Sequence, residues 1–590
     1  MSLAAQIKER TAKTISTLFN VELAAADILV NQTKPEFEGD YTVVLFALVK
    51  QLRKSPEQLG KEIGEALVRD NPDLFTGFNV IKGFLNLSVS DAYYTDFLSR
   101  LNAQEQPAPF PPTGKKIIVE YSSPNTNKPL HLGHLRNNFL GWSVAAILKA
   151  KGNDVMKSCI VNDRGIHICK SMLAWQLYGE GATPETTGTK GDHLVGDYYV
   201  RFSTEHKKQT EELVAKGISK EEAEKEAHIM KMTQQMLVDW ENGKPEVMEL
   251  WRTMNGWVYK GFDETYKRIG TDFHKWYYES ETYLPGKKFV EMGLQQGVLF
   301  RKEDGSVWID LTDEGLDEKL LLRKDGTSVY ITQDLGLAQQ KYEDFPYDQS
   351  IYVIADEQNY HMKVLQLILK KLGMPYADGI YHLSYGMVEL PGGRMKSREG
   401  TVVDADDMVN EMVAEAAKKV KEHSRIEDFT EGELNELYET IGLGALKFFL
   451  LRVDPKKRMI FNPEESIEFI GFTGPFIQYT HARIRSILRK EAAGSAPITG
   501  NLLKLEKELL LLLEQYPTII EEAAREYDPS VIANYAFLLA KTYNTFYTEH
   551  SVLKAESEEK KNLRLQICQL VANVIRDAMG LLGIRVPERM

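Results

Sequence analysis

The chain has 590 residues, 43 % of them hydrophobic and 27 % charged, a balance that excludes a largely disordered chain, a collagen or a coiled coil. Its net charge of −13 argues at first against a polyanionic partner, and its three cysteines exclude a disulfide framework and a four-cysteine zinc site. At roughly 150 residues per domain, the length predicts about four domains.

Residues 1 to about 105 read as a small separate module. A helical start, Ile7 to Phe19, leads to a loop at Pro35–Asp40. A second helix is predicted over Tyr41–Leu52, and Pro56 starts a third. Phe78–Leu87 has strand character, and the Pro-rich stretch Gln106–Pro112 closes the module. Lys8, Glu9 and Arg10 stand where a secretory leader would be apolar. No run approaches the ~18 apolar residues of a membrane helix. The expectation is a cytoplasmic protein with no membrane partner.

Lys116–Tyr121 is β-branched and predicts a buried strand. After a loop, Leu132, Leu135, Phe139, Trp142 and Ile147 give one apolar helix face that stops at Gly152. This strand–loop–helix unit belongs to a parallel α/β sheet, which binds nucleotides at the C-terminal ends of its strands. Residues of about 180–300 read as a helical insertion. Strand character returns at Ser328–Ile331 and Ser350–Ala355, and past Glu411 the chain is almost all helical. Leu502–Tyr516 and Val531–Leu553 are expected as long helices of a bundle. From Gly471 onward the net charge is +1, against −14 for the rest, and Arg483, Arg485, Arg489 and Lys490 cluster there. A polyanion therefore has a place to bind.

The chemistry lies at His131-Leu132-Gly133-His134, where the loop meets the helix. Free backbone N–H groups and the positive end of the helix dipole suit phosphate there. Two imidazoles three residues apart can donate to phosphate oxygens as pyrophosphate leaves. Gly133 lets a nucleotide lie against the backbone. Taken alone, the same histidines fit helix caps or core residues. A zinc site lacks an acidic third ligand, and Cys159, His167 and Cys169 have no metal spacing, so no metal site is expected. Some 260 residues on comes Gly392-Gly393-Arg394-Met395-Lys396-Ser397-Arg398-Glu399-Gly400-Thr401, a basic, glycine-flanked loop that by itself would be a solvated turn.

The pair resembles the two signature loops of class I aminoacyl-tRNA synthetases. The string Val119–Arg136 is similar to the signature of arginyl-tRNA synthetases. Tyr330–Asp334, Gln358–His361, Gly474–Arg483 and the Gly39-Asp40-Tyr41 triplet agree with that family, so the resemblance spans nearly the whole chain. It implies a multidomain α/β enzyme. A Rossmann-like parallel-sheet catalytic domain (113–400, insertion at about 180–300) would follow a small α+β N-terminal tRNA-binding domain (1–105). A helical connective region (401–465) and an all-α anticodon-binding bundle (466–590) would complete it.

The resemblance also implies roles. Glu120 and Asp334 would face the arginine guanidinium, a planar cation that suits carboxylates, with Tyr330 shaping the pocket. Ser123, Asn125, His131 and Gln358 would hold the arginine backbone groups, and Gly133, His134, His361, Met395 and Ser397 would contact ATP. Catalysis would rest on His131, His134, Lys128, Lys396 and Arg398. The second loop lacks the usual final lysine, and Lys128 is its expected substitute. Gln333 stands where relatives often carry Arg. Aromatic residues Tyr543, Phe546 and Tyr547 share a helix with Asn544, and with Gln478, Tyr479 and Arg483 they are expected to meet unpaired bases of tRNA. Half of such aromatics could equally be core. The expected activity is ATP- and Mg²⁺-dependent ligation of arginine to its tRNA by a monomer, through an arginyl-adenylate. A cysteine enzyme would need zinc cysteines that are missing, and intact His131, His134, Glu120 and Asp334 argue against an inactive tRNA-binding paralogue.

Overall fold

The computed structural model describes residues 2–34, 36–102, 104, 107–282, 286–391, 403–423, 428–494 and 501–590. In the N-terminal unit, helix Leu3–Phe19 is capped by the Ser2 hydroxyl, and helix Pro56–Asp70 by Ser55. They cover an antiparallel sheet in the order 29–32, 41–44, 84–89, 75–81. Two expectations are corrected here. The helix expected over Tyr41–Leu52 is a strand, Tyr41–Val44, followed by a short helix, Phe46–Leu52, because Tyr-Thr-Val-Val pairs with Leu29–Gln32 and Phe84–Val89. The single strand at Phe78–Leu87 is a hairpin, Phe75–Ile81 with Phe84–Val89, turning at Lys82-Gly83. This unit docks on the C-terminal bundle: the buried Glu514 carboxylate accepts from the Leu3 N–H and from the Tyr41 hydroxyl at 3.0 Å.

The central sheet is wholly parallel. Its strands are β1 (Lys116–Glu120), β2 (Asp154–Val161), β3 (Lys275–Tyr278), β4 (Gln349–Ala355) and β5 (Ile380–Tyr385), in the spatial order β5-β4-β1-β2-β3. The order reverses between β1 and β4, and ligands of open α/β sheets bind at that crevice, beyond the strand C-termini. Helix α1 (Leu132–Ala150) follows β1. It is buried almost all round: Leu135, Phe139, Val144 and Ile147 pack apolar contacts, while Arg136, Asn137, Asn138 and Ser143 are buried polar groups. At Gly141 a Cβ would lie 2.4 Å from Tyr121, so glycine lets α1 close on the end of β1.

Between β2 and β3 stand helices that include α2 (Gly191–Ala215) and α3 (Pro245–Ile269). The helical stretch expected at about 180–300 is therefore interrupted after Ile269, where Lys275–Tyr278 is sheet, its Trp-Tyr-Tyr run pairing with β2, and helix returns at Gly286–Gln295. A small antiparallel sheet, strands 299–301, 307–309 and 319–322, comes next. The strand character at Ser328–Ile331 is also corrected. Tyr330 opens helix α4 (Tyr330–Asp344), because Ile331, Leu335 and Ala338 are buried at helical spacing. Helix α5 (Asn359–Lys371) follows β4. Helices Ala405–His423 and Glu431–Leu451 lead to a C-terminal bundle of α6 (Gly474–Lys490), α7 (Lys504–Glu526), α8 (Pro529–Glu549) and α9 (Glu558–Leu581). A two-residue strand, Met459–Ile460, interrupts the helical run by pairing with Val388–Glu389. Helix α7 continues ten residues beyond Tyr516, through Pro517.

Candidate active site at the sheet switch point

The backbone leaving β1 bends sharply. Ser122 and Ser123 have φ of 79° and 47°, an uncommon conformation for residues with a Cβ. Three contacts hold the bend. The Ser122 N–H donates to Asn137 Oδ1 at 2.5 Å, Asn138 Nδ2 donates to Ser122 Oγ at 3.1 Å, and Ser122 Oγ lies 2.6 Å from the Tyr266 hydroxyl of α3. Asn137 also donates to the Val353 carbonyl, which ties α1 to β4. Further on, the Thr126 N–H donates to the Asn162 carbonyl and the Asn162 N–H to that of Pro124, a bridge that seats Asn125 beside the end of β2.

The loop ends in a reciprocal cap. The Gly133 N–H donates to His131 Nδ1, and the His131 N–H donates to His134 Nδ1, each at 3.1 Å. With both Nδ1 atoms accepting, both rings carry their proton on Nε2. The cap and phosphate-donor readings of these histidines are thus compatible, because capping fixes the tautomer that can donate. Burial and the nearby Lys128 charge push His131 down to about 4, and burial pushes His134 well below its ordinary value. Both rings are neutral donors at pH 7. A Cβ on residue 133 would sit 3.0 Å from His131 Cε1, so the glycine serves the cap itself. Lys128 is half-buried, and desolvation lowers its pKa.

Glu120 ends β1 and is buried. Its Oε2 lies 2.5 Å from Nζ of Lys341, a fully buried lysine on α4 whose ammonium stands 3.9 Å from the centre of the Tyr352 ring on β4. Asp334 lies on the same α4 face as Lys341, seven residues earlier, and its Oδ2 is 2.5 Å from His361 Nε2 on α5. That hydrogen bond raises the His361 pKa. The structure thus brings His361 to Asp334. Tyr330 is 76 % exposed at the start of α4, and Gln358 is exposed ahead of α5.

Met395, Lys396, Ser397 and Arg398 lie outside the described residues. Both flanks of their segment are fastened to the start of α1. On one side the Arg136 guanidinium, fully buried, donates to the carbonyls of Gly386, Met387, Pro455 and Lys457. On the other, the Leu132 N–H donates to the Val403 carbonyl and the Ala405 N–H to that of Leu130. Lys190 then anchors Asp406, donating to it at 2.7 Å, and His193 is held at about 10 by Asp404 and Asp406. Asp192, His193 and Asp406 form a close group, with the Lys190 ammonium in contact with both carboxylates.

In the bundle, Arg483 lies between the rings of Tyr479 and Tyr547, 4.8 and 5.2 Å from their centres, and donates to Asn544 Oδ1. Tyr547 is exposed. Gln478 and Tyr543 correct the expectation of tRNA contact. Both are fully buried, Gln478 donating to the carbonyls of Thr440 and Arg585, and the Tyr543 hydroxyl meeting Cys568 Sγ at 3.2 Å. They build the surface that Tyr479, Arg483 and Tyr547 present.

The model of the class I tRNA synthetase (R) catalytic domain matches residues 98–462. Those of the arginyl tRNA synthetase N-terminal domain and the DALR anticodon binding domain match 3–89 and 477–590. An arginine–tRNA ligase of Parabacteroides distasonis is 52 % identical over 600 aligned residues, covering all of both chains. The chain belongs to the arginyl-tRNA synthetases. The solved arginyl-tRNA synthetase of Thermus thermophilus covers all of both chains at 26 % identity and a TM-score of 0.80. That of Plasmodium falciparum, at 18 % identity and a TM-score of 0.78 over the whole of this chain, shares the fold. Among the described residues no helix is long and apolar enough to cross a membrane.

Sequence reasoning misses several groups around this candidate site of the arginyl-tRNA synthetase. Asn137 and Asn138 break the apolar α1 pattern, and that break is the one signal that could have found them. Asp163, just past β2, is buried and accepts from the Ser280 N–H and hydroxyl and from the Tyr259 hydroxyl. Glu279, after β3, is half-buried; desolvation raises it to about 7, with the negative charges of Asp163 and Asp334 adding to the rise. Nothing in local sequence marks Glu279 or Lys341, because only the tertiary fold brings them near Asp334 and Glu120.

Proposed function

We propose that this arginyl-tRNA synthetase activates arginine at the β1/β4 crevice and esterifies its tRNA there. The guanidinium lies between Glu120 and Asp334, whose carboxylates can pair with it and offset the cost of burying a cation. Tyr330 closes the pocket from α4. Ser123, Asn125, His131 and Gln358 hold the arginine carboxylate and amino group. ATP lies over Gly133 with its phosphates at the α1 N-terminus, and His134, His361, Met395 and Ser397 are its other proposed contacts. The arginine carboxylate oxygen attacks the α-phosphorus and pyrophosphate leaves. His131 and His134 donate through Nε2–H, and Lys128, Lys396 and Arg398 supply positive charge to the departing phosphates. A hydroxyl of the terminal adenosine then attacks the arginyl carbonyl and AMP leaves. Mg²⁺ bound with the ATP substrate would add charge neutralisation at the triphosphate.

Residues 1–105 grip the tRNA away from the chemistry, 113–400 hold the catalytic site, 401–465 contact the stem, and 466–590 read the anticodon through Tyr479, Arg483, Asn544 and Tyr547. We propose that the chain acts as a monomer. The free, buried Cys159, Cys169 and Cys568 support a reducing, cytoplasmic setting.

The observation that carries the assignment is the pair of carboxylates, Glu120 and Asp334, beside a helix start that presents two neutral Nε2–H donors. Citrulline, which replaces the guanidinium by a neutral ureido group of similar shape, tests it. The full chain with ATP and tRNA should show arginine-dependent pyrophosphate exchange and reject citrulline by about 10³-fold or more in kcat/KM. Comparable use of citrulline would sink the charge-pairing scheme.

A further inference from the structure

We infer that Lys341 is a positioning residue for amino-acid recognition: it holds Glu120 by one oxygen and sets the charge that the pocket offers to arginine. The inference rests on the reading of Glu120 as a guanidinium ligand. Lys341 is fully buried, so it touches no substrate. Its Nζ contacts Oε2 of Glu120, which leaves Oε1 for a ligand. The contact is an ion pair without well-directed hydrogen-bond geometry, since neither Oε2 nor Nζ gains a hydrogen-bond partner among the described residues. The other neighbours of the ammonium are the Tyr352 ring of β4 and the negative charge of Asp334, one α4 turn-pair away.

A buried carboxylate and a buried ammonium cannot be left single without a large desolvation penalty. The pair is therefore the resting state of an empty pocket. Within the Glu120–Lys341–Asp334 group the two carboxylates outnumber the one ammonium, which favours a guanidinium; His361, bonded to Asp334, adds a positive charge only when protonated. Removing the carboxylate alone leaves Lys341 buried without its partner, and to the extent that it keeps its proton it repels a cationic substrate. Removing both charges leaves no such repulsion. The consequence is a coupling of unusual sign, which a lysine that merely packs would not produce.

The test is a double-mutant cycle on the full chain with tRNA present, reading KM for arginine, KM for ATP and kcat. Glu120→Gln should raise the arginine KM at least a hundredfold. Adding Lys341→Met to it should recover at least fivefold of that loss, while the ATP KM of both variants stays within twofold of the parent. Lys341→Met alone should raise the arginine KM about tenfold. If that single variant does not fold, the uncharged double variant against Glu120→Gln still gives the decisive comparison. A double variant equal to or worse than Glu120→Gln overturns the role of Lys341. A normal arginine KM in Glu120→Gln instead overturns the ligand reading on which it rests.

Discussion

Asp334→Asn and Glu120→Gln remove the two proposed guanidinium partners without changing side-chain shape, and their environments predict unequal losses. Truncating one partner of a buried, hydrogen-bonded charge pair costs about 2–5 kcal/mol. The Asp334 side chain is 35 % exposed and already shares Oδ2 with His361, so water and the imidazole soften its loss. The lower part of the range applies, about 2–3 kcal/mol, or roughly 30- to 150-fold in the arginine KM. The Glu120 side chain is only 4 % exposed, and its loss strands Lys341. The upper part applies there, about 3–5 kcal/mol, or roughly 150- to 5000-fold. Arginine-dependent ATP–pyrophosphate exchange with saturating ATP and tRNA measures both. The reasoning is refuted if Asp334→Asn loses more than Glu120→Gln, or if either variant keeps a near-normal arginine KM.

Lys128→Ala should slow single-turnover adenylate formation by about 10²-fold or more with little change in arginine affinity, because its charge acts on the departing phosphates; rapid quench separates the two, and a normal rate would place the charge elsewhere. His131 sits at about 4 when folded, against an ordinary value near 6.5, so stability is full above ~6.5 and falls as pH drops toward ~4. That loss should be on the order of 2 kcal/mol between pH 7 and 5, and unfolding titrations of His131→Asn should show a flatter pH dependence than the parent. Tyr547→Ala should weaken tRNA binding by about 1–3 kcal/mol with unchanged thermal stability, whereas Gln478→Leu should lower the melting temperature by stranding the Thr440 and Arg585 carbonyls; filter binding and calorimetry distinguish them.

The α/β unit at 116–150 was legible because its periodicities change cleanly from a β-branched run to a helical stripe. Tyr41–Val44 and Tyr330–Ile331 depart from their local patterns for opposite reasons: one short β-branched run is fixed as strand by two neighbouring strands, the other joins a helix whose buried face lies further along. Of the site, His131, Gly133 and His134 were visible as a motif, but their mutual capping was not, since hydrogen-bond direction is a property of the folded loop. Lys341 was invisible: on α4 it reads as one more amphipathic-helix lysine until β1 brings Glu120 against it. Tyr543 shares its helix with the exposed Tyr547, and Gln478 precedes Tyr479 in the Gly474–Arg483 motif; only packing assigns Gln478 and Tyr543 to the core.

The most direct measurement is aminoacylation by the purified full chain, with ATP and bulk tRNA, offered each of the twenty amino acids in turn as the labelled substrate. The account predicts acid-precipitable label with arginine, abolished in Glu120→Gln at the same arginine concentration, and none above background with the other nineteen. Comparable charging with a different amino acid, or no charging with arginine by the folded chain, would contradict it.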